Sequence, residues 1–125
     1  MKAGFKNTYT IVFTLVILML LSGSCMKKEV PVLETWDVLL VTITSAVSGG
    51  TVIDEGSSAV VSQGVCWSTE PEPTVQDFKT SEMAGQTQFS SSLKGLKGGT
   101  KYYVRAYAVN DIGIGYGNEV TFTTL

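Results

Sequence analysis

The strictest constraint on this chain is the alternation along Lys101-Tyr102-Tyr103-Val104-Arg105-Ala106-Tyr107-Ala108-Val109. Successive side chains of a β-strand point to opposite faces. The run therefore predicts a strand with Tyr102, Val104, Ala106 and Ala108 turned inward, and Tyr103, Arg105 and Tyr107 turned outward. From Trp36 onward the whole chain follows the same grammar. Val, Thr, Ile, Tyr and Phe recur in short runs cut by Gly, Pro, Ser and Asp, and no stretch keeps a helical period. The runs predict strands at Trp36–Ile43, Val60–Ser68, Phe78–Ser81 (a short edge), Thr87–Leu93, Lys101–Val109 and Tyr116–Thr123. Asp54-Glu55-Gly56-Ser57-Ser58 and Asn110-Asp111-Ile112-Gly113 read as turns. Glu70-Pro71-Glu72-Pro73 breaks the chain, because proline cannot donate to a ladder. Gly49-Gly50 taken alone reads as a hairpin turn. Short strands spaced in this way suggest an all-β sandwich.

The N-terminus obeys a different logic. Lys2 and Lys6 precede Ile11–Leu21, an 11-residue apolar run interrupted only by Thr14, and Ser22-Gly23-Ser24 follows it. A spanning helix needs about 20 apolar residues, so residues 1–24 read as a cleaved export signal. Cys25 stands directly after it. Leu21-Ser22-Gly23-Ser24-Cys25 resembles the lipobox of bacterial lipoproteins, with Ser22 where the usual pattern has Leu. That resemblance implies a diacylglycerol on the Cys25 thiol, cleavage just before it, and acylation of the new amine. Such chains anchor firmly, since each buried CH₂ contributes about 0.8 kcal/mol. The alternative is ordinary signal cleavage, because Ser22 and Ser24 also form a small-x-small site. Residues 25–35 read as a tether, whose stretch from Met26 to Glu34 reaches about 30 Å when extended.

Charge and missing residue types exclude several functions. Without residues 1–24 the chain keeps 7 of its 9 basic residues against 11 acidic ones, a net charge of −4. That disfavours nucleic acid, which calls for a basic face. It equally disfavours electrostatic holding on an anionic membrane. There is no histidine, hence no Ser–His–Asp or Cys–His arrangement. A carboxylate pair would need a pocket that a small sandwich scarcely offers. No catalytic residue, cofactor or metal site is expected; Asp54 and Asp111 read as turn formers rather than calcium ligands. With Cys25 acylated, Cys66 has no disulfide partner and packs as a small hydrophobe.

Leu96-Lys97-Gly98-Gly99-Thr100-Lys101-Tyr102-Tyr103-Val104-Arg105-Ala106-Tyr107-Ala108 resembles the E–F corner and F strand of fibronectin type III domains. Gly64-Val65-Cys66-Trp67-Ser68-Thr69 and Gly115-Tyr116-Gly117-Asn118-Glu119-Val120-Thr121-Phe122-Thr123-Thr124 extend the resemblance to the fibronectin-type domains of Bacteroidota surface lipoproteins. It covers residues 36–125. It implies a seven-stranded sandwich in which Gly49-Gly50 lies inside a strand from Ala46 to Val52. It implies a tyrosine corner in which the Tyr102 hydroxyl, six residues after Leu96, bonds back to the backbone. Val65 and Trp67 should share the core with Val120 and Phe122. The B–C turn (Asp54–Ser58) and F–G turn (Asn110–Gly115) should lie at the tethered end, with Leu125 and the Pro71–Pro73 loop directed away.

These readings converge on a lipid-anchored protein of the outer membrane, in either leaflet, carrying a monomeric, non-enzymatic interaction or scaffold module for a protein or glycan partner. A second reading is a carbohydrate-binding lipoprotein of a glycan-uptake system. Its contact face would be Tyr103, Arg105 and Tyr107, where sugars could stack. Ordinary cross-strand packing favours tyrosine at such positions as well.

Overall fold

The computed structural model describes residues 27–125. The export segment and Cys25 lie outside the described residues. Eight strand segments follow one another: β1 (Val32–Thr35), β2 (Ala46–Asp54), β3 (Ser62–Ser68), β4 (Phe78–Lys79), β5 (Gln88–Leu93), β6 (Lys101–Val109), β7 (Ile114–Tyr116) and β8 (Val120–Thr123). They form two antiparallel sheets, one ordered β1-β2-β5 and the other β4-β3-β6-β7, with β8 also paired to β6. β7 and β8 are one strand interrupted at residues 117–119, so the sandwich has seven strand positions.

The inward face of β6 is the centre of the core. Tyr102, Val104, Ala106 and Ala108 pack with Val65 and Trp67 of β3 and with Leu33, Ala46, Val52, Phe89 and Leu93 of the facing sheet. Val120 and Phe122 cover one flank, and Phe122 stacks on Tyr102 with centroids 5.6 Å apart. Gly49 and Gly50 lie within β2 rather than in a turn. Their missing side chains make room for neighbours, since a Cβ on Gly50 would sit 2.7 Å from the Ala106 methyl. At the corner before β6, the Lys97 N–H donates to the Tyr102 hydroxyl at 2.8 Å, while Leu96 is buried.

Two strand expectations are corrected. The apolar stretch Trp36–Ile43 is not the first strand. Only Leu39 bridges to Val47, and Leu40 has φ 51, a left-handed conformation that ends any ladder. The first strand instead begins within the stretch read as tether, where Leu33 and Thr35 are buried and Val32 and Glu34 are exposed. The last strand, expected to run unbroken over Tyr116–Thr123, is broken by Gly117-Asn118-Glu119. There the β6 amide of Ala106 bonds to the Thr35 hydroxyl at 2.8 Å instead of to a strand partner.

Tyr102→Phe keeps the ring stacking but leaves the Lys97 N–H without its partner. We expect a loss of about 1–2 kcal/mol, measured as a lower denaturant midpoint with an unchanged m-value.

Candidate functional site

Tyr103, Arg105 and Tyr107 do share the outward face of β6, but the connection between β3 and β4 crosses that face. Pro73 is fully buried against it. Its carbonyl accepts from Arg105 Nε at 2.9 Å and Arg105 Nη2 at 2.6 Å. The guanidinium also stacks over Tyr116, 4.1 Å from the ring centre. Tyr116 Oη accepts the Val75 N–H at 3.1 Å, and a Glu119 carboxylate oxygen accepts the Glu72 N–H at 2.6 Å. The loop is thus clamped across its length, with Glu72 held at φ 58.

The expectation of an exposed aromatic–cation stripe is therefore corrected. Tyr107 is 1% exposed. It lies opposite Gly64 and donates its hydroxyl proton to the Thr80 carbonyl. A side chain at Gly64 would strike that same carbonyl. Arg105 is committed to Pro73 and Tyr116. Tyr103 and Arg105 are both half-exposed, but of the two only Arg105 is bound to the loop; Tyr103 has Lys101 Nζ 5.2 Å above its ring. Alternation announces the face of a side chain, but not what a distant loop lays over it.

Cys66 sits beneath the same loop, fully buried, with its Sγ 3.5 Å from the Pro73 and Arg105 carbonyl oxygens. Burial pushes its thiol up to about 11, against a smaller opposing pull from Arg105. Burial also raises the Tyr107 phenol. Both groups are neutral at physiological pH, and Cys66 is a packing residue rather than a nucleophile.

The two ends of the sandwich differ. At the end holding the β2–β3 and β6–β7 turns, a cleft of about 330 Å³ is lined by Val52–Glu55, Gln63 and Gly85–Thr87. Gln63 is buried, donates Nε2 to the Gln86 carbonyl at 3.0 Å, and leaves Oε1 without a protein partner among the described residues. At the opposite end a shallow hollow of about 380 Å³ lies between Ser68, Thr69, Gln76, Asp77, Phe78 and Tyr102. Phe78 is 69% exposed, and its ring is fixed by stacking on Trp67 at 6.0 Å. Sequence reasoning placed Phe78 on an edge strand but assigned it no role; its exposed aromatic character at an edge was the available signal. Leu39, Leu40, Ile43 and Leu125 are also exposed at this end. Among the described residues no three of His, Cys, Asp and Glu converge as a metal set would.

This strand order and corner define a fibronectin type III-like β-sandwich. No family model matches the chain, and no curated protein does. Solved structures do match in fold. A fibronectin type III domain of human collagen XX is 17% identical, with a TM-score of 0.57, over 81% of this chain and 98% of that one. The sixth fibronectin type III domain of human fibronectin type III domain containing protein 3 is 18% identical, with a TM-score of 0.57, over 81% and 91%. The sensor domain of an anti-sigma factor in Pseudobacteroides cellulosolvens is 20% identical, with a TM-score of 0.54, over 79% and 98%. At these identities the likeness is one of fold, and a fold hosts many functions.

Because Cys66 is buried and protonated, it should resist thiol reagents at neutral pH in the folded state. Its raised value adds a pH term. Folded stability holds below the unfolded value of 9.0 and is lost as pH climbs through about 11. The loss should approach roughly 2 kcal/mol. Urea unfolding at pH 7 and pH 11 checks this: wild type should lose more than Cys66→Ala across that interval.

Proposed function

We propose that this chain is a cell-envelope lipoprotein whose folded part is a non-catalytic interaction or scaffold module. Residues 1–24 direct export, and Cys25 carries the lipid. The observation that carries the reading is a junction. A cysteine follows an apolar export segment and small residues, and Lys27, two residues later, is already bonded to the domain through Ser57. An exported protein with one buried, unpaired thiol gives that other cysteine no disulfide to make. The absence of histidine from the sequence supports a module that binds rather than reacts.

The glycan reading moves to a different surface. Phe78 offers a fixed exposed ring, and Ser68, Thr69, Gln76 and Asp77 beside it offer hydroxyl, amide and carboxylate groups. A sugar ring stacked on Phe78 would find hydrogen-bond partners there. Tyr107 and Arg105 are occupied within the fold and offer none.

Palmitate fed to expressing cells should label wild-type protein and not Cys25→Ser, and the intact mass should include the acyl chains and lack residues 1–24. An unacylated mature mass would overturn the anchor. For the glycan reading, wild type should bind on a glycan array and Phe78→Ala should bind at least tenfold less, while Tyr103→Ala binds normally. Equal binding by the Phe78 and wild-type proteins would sink it.

A further inference from the structure

The segment from Lys27 to the first strand is built into the sandwich rather than left as a leash. The Lys27 carbonyl accepts the Ser57 hydroxyl at 2.8 Å, and that hydroxyl accepts the Glu29 N–H at 2.6 Å. The Glu29 carbonyl accepts the Ser57 N–H at 3.0 Å and Asn110 Nδ2 at 2.9 Å. Asn110 Nδ2 also bonds to the Glu55 carbonyl at 2.9 Å, so one side chain ties this segment to both turns.

Glycines make room for the path. A Cβ on Gly56 would lie 2.4 Å from the Glu29 carbonyl oxygen, and one on Gly115 would lie 1.8 Å from that of Pro31. Farther on, a Cβ on Gly117 would lie 2.5 Å from the Thr35 hydroxyl. Backbone atoms block the first two positions, and any side chain there would push the N-terminal segment off the domain.

Only Met26 separates Lys27 from Cys25. Two residue steps span at most roughly 7 Å. If acyl chains hold Cys25 in the bilayer, the turns that hold Lys27 must lie at the headgroups.

We propose that the domain stands end-on against the membrane, its residue 54–58 and 110–113 turns resting on the lipid headgroups through a rigid N-terminal stem. This inference rests on the lipidation of Cys25 proposed above. The side chains this end presents suit an uncharged contact better than an electrostatic one. Ile112, Val61 and Ile53 are exposed there, and Lys27 and Lys28 are outnumbered by Glu29, Asp54, Glu55 and Asp111, so charge does not draw this end to anionic lipid. β6 spans the domain from this end to the other, nine residues or about 30 Å. The hollow at Phe78 and the exposed Leu40 are therefore lifted clear of the membrane. The two turns would be shielded, and the opposite end would meet partners.

The test uses the full lipoprotein in phosphatidylethanolamine–phosphatidylglycerol vesicles containing a lipid with a nitroxide on its headgroup. With Cys25 acylated and Cys66 buried, Ile112→Cys or Leu40→Cys supplies the accessible thiol for a fluorophore. Intact mass is taken first. The fluorophore at 112 should be quenched at least threefold more strongly than the one at 40. Inserting ten Gly and Ser residues between Met26 and Lys27 should level the two, with thermal unfolding unchanged. Equal quenching in the acylated protein without the insert overturns the end-on stance and leaves lipidation standing. A difference that survives the insert also overturns it, since the short stem would not be setting the orientation. A mass without acyl chains overturns both readings together.

Discussion

Thr35 joins the two sheets. Its N–H donates to Asn118 Oδ1 at 2.8 Å, its hydroxyl accepts the Ala106 N–H at 2.8 Å, and its neighbours in β1 pair with β2. The break between β7 and β8 would otherwise leave the Ala106 amide without a partner in the protein interior, a loss of about 1–3 kcal/mol. The first strand fills that break. The N-terminal segment is thus a closing element of the sandwich, and the residue 54–58 and 110–113 turns inherit their positions from it. At the other end the Leu39–Leu40 stretch is tied to β2 by a single bridge, the reciprocal backbone bonds of Leu39 and Val47 at 2.8 and 2.9 Å.

Much of this was legible because it is local. Alternation over Lys101–Val109 names the two faces of β6 without knowledge of the rest of the chain. Asn110 followed by Gly113 marks a turn, and the Asn110 side chain caps it by accepting the Ile112 and Gly113 amides. What the sequence concealed is non-local. Val32-Leu33-Glu34-Thr35 holds only two buried side chains, one of them polar, so it reads as linker until its partners Gly50 and Asn118 are known. Trp36–Ile43 is more apolar and reads as a strand. Yet its apolar side chains are divided between half-burial (Trp36, Val38, Val41) and exposure (Leu39, Leu40, Ile43).

The candidate site shows the same division. Tyr103, Arg105 and Tyr107 share a face, as period-two spacing requires, but a loop more than thirty positions earlier in sequence takes up Arg105, and Thr80 takes up Tyr107. Within the short edge strand read at Phe78–Ser81, nothing local set Phe78 apart, and in the structure that strand shortens to Phe78–Lys79. The significance of Phe78 comes from Trp67 beneath it and from a hollow whose walls arrive from three segments of the chain.

The central claim is that the N-terminal segment belongs to the cooperative fold. Native-state hydrogen exchange on the full protein tests it at two amides, Thr35 and Ala106. Both should exchange only through global unfolding, with the same opening free energy as the most protected amides of β6. If these two amides opened far more readily while the rest of β6 stayed protected, β1 would be a detachable arm and the rigid stem would not exist.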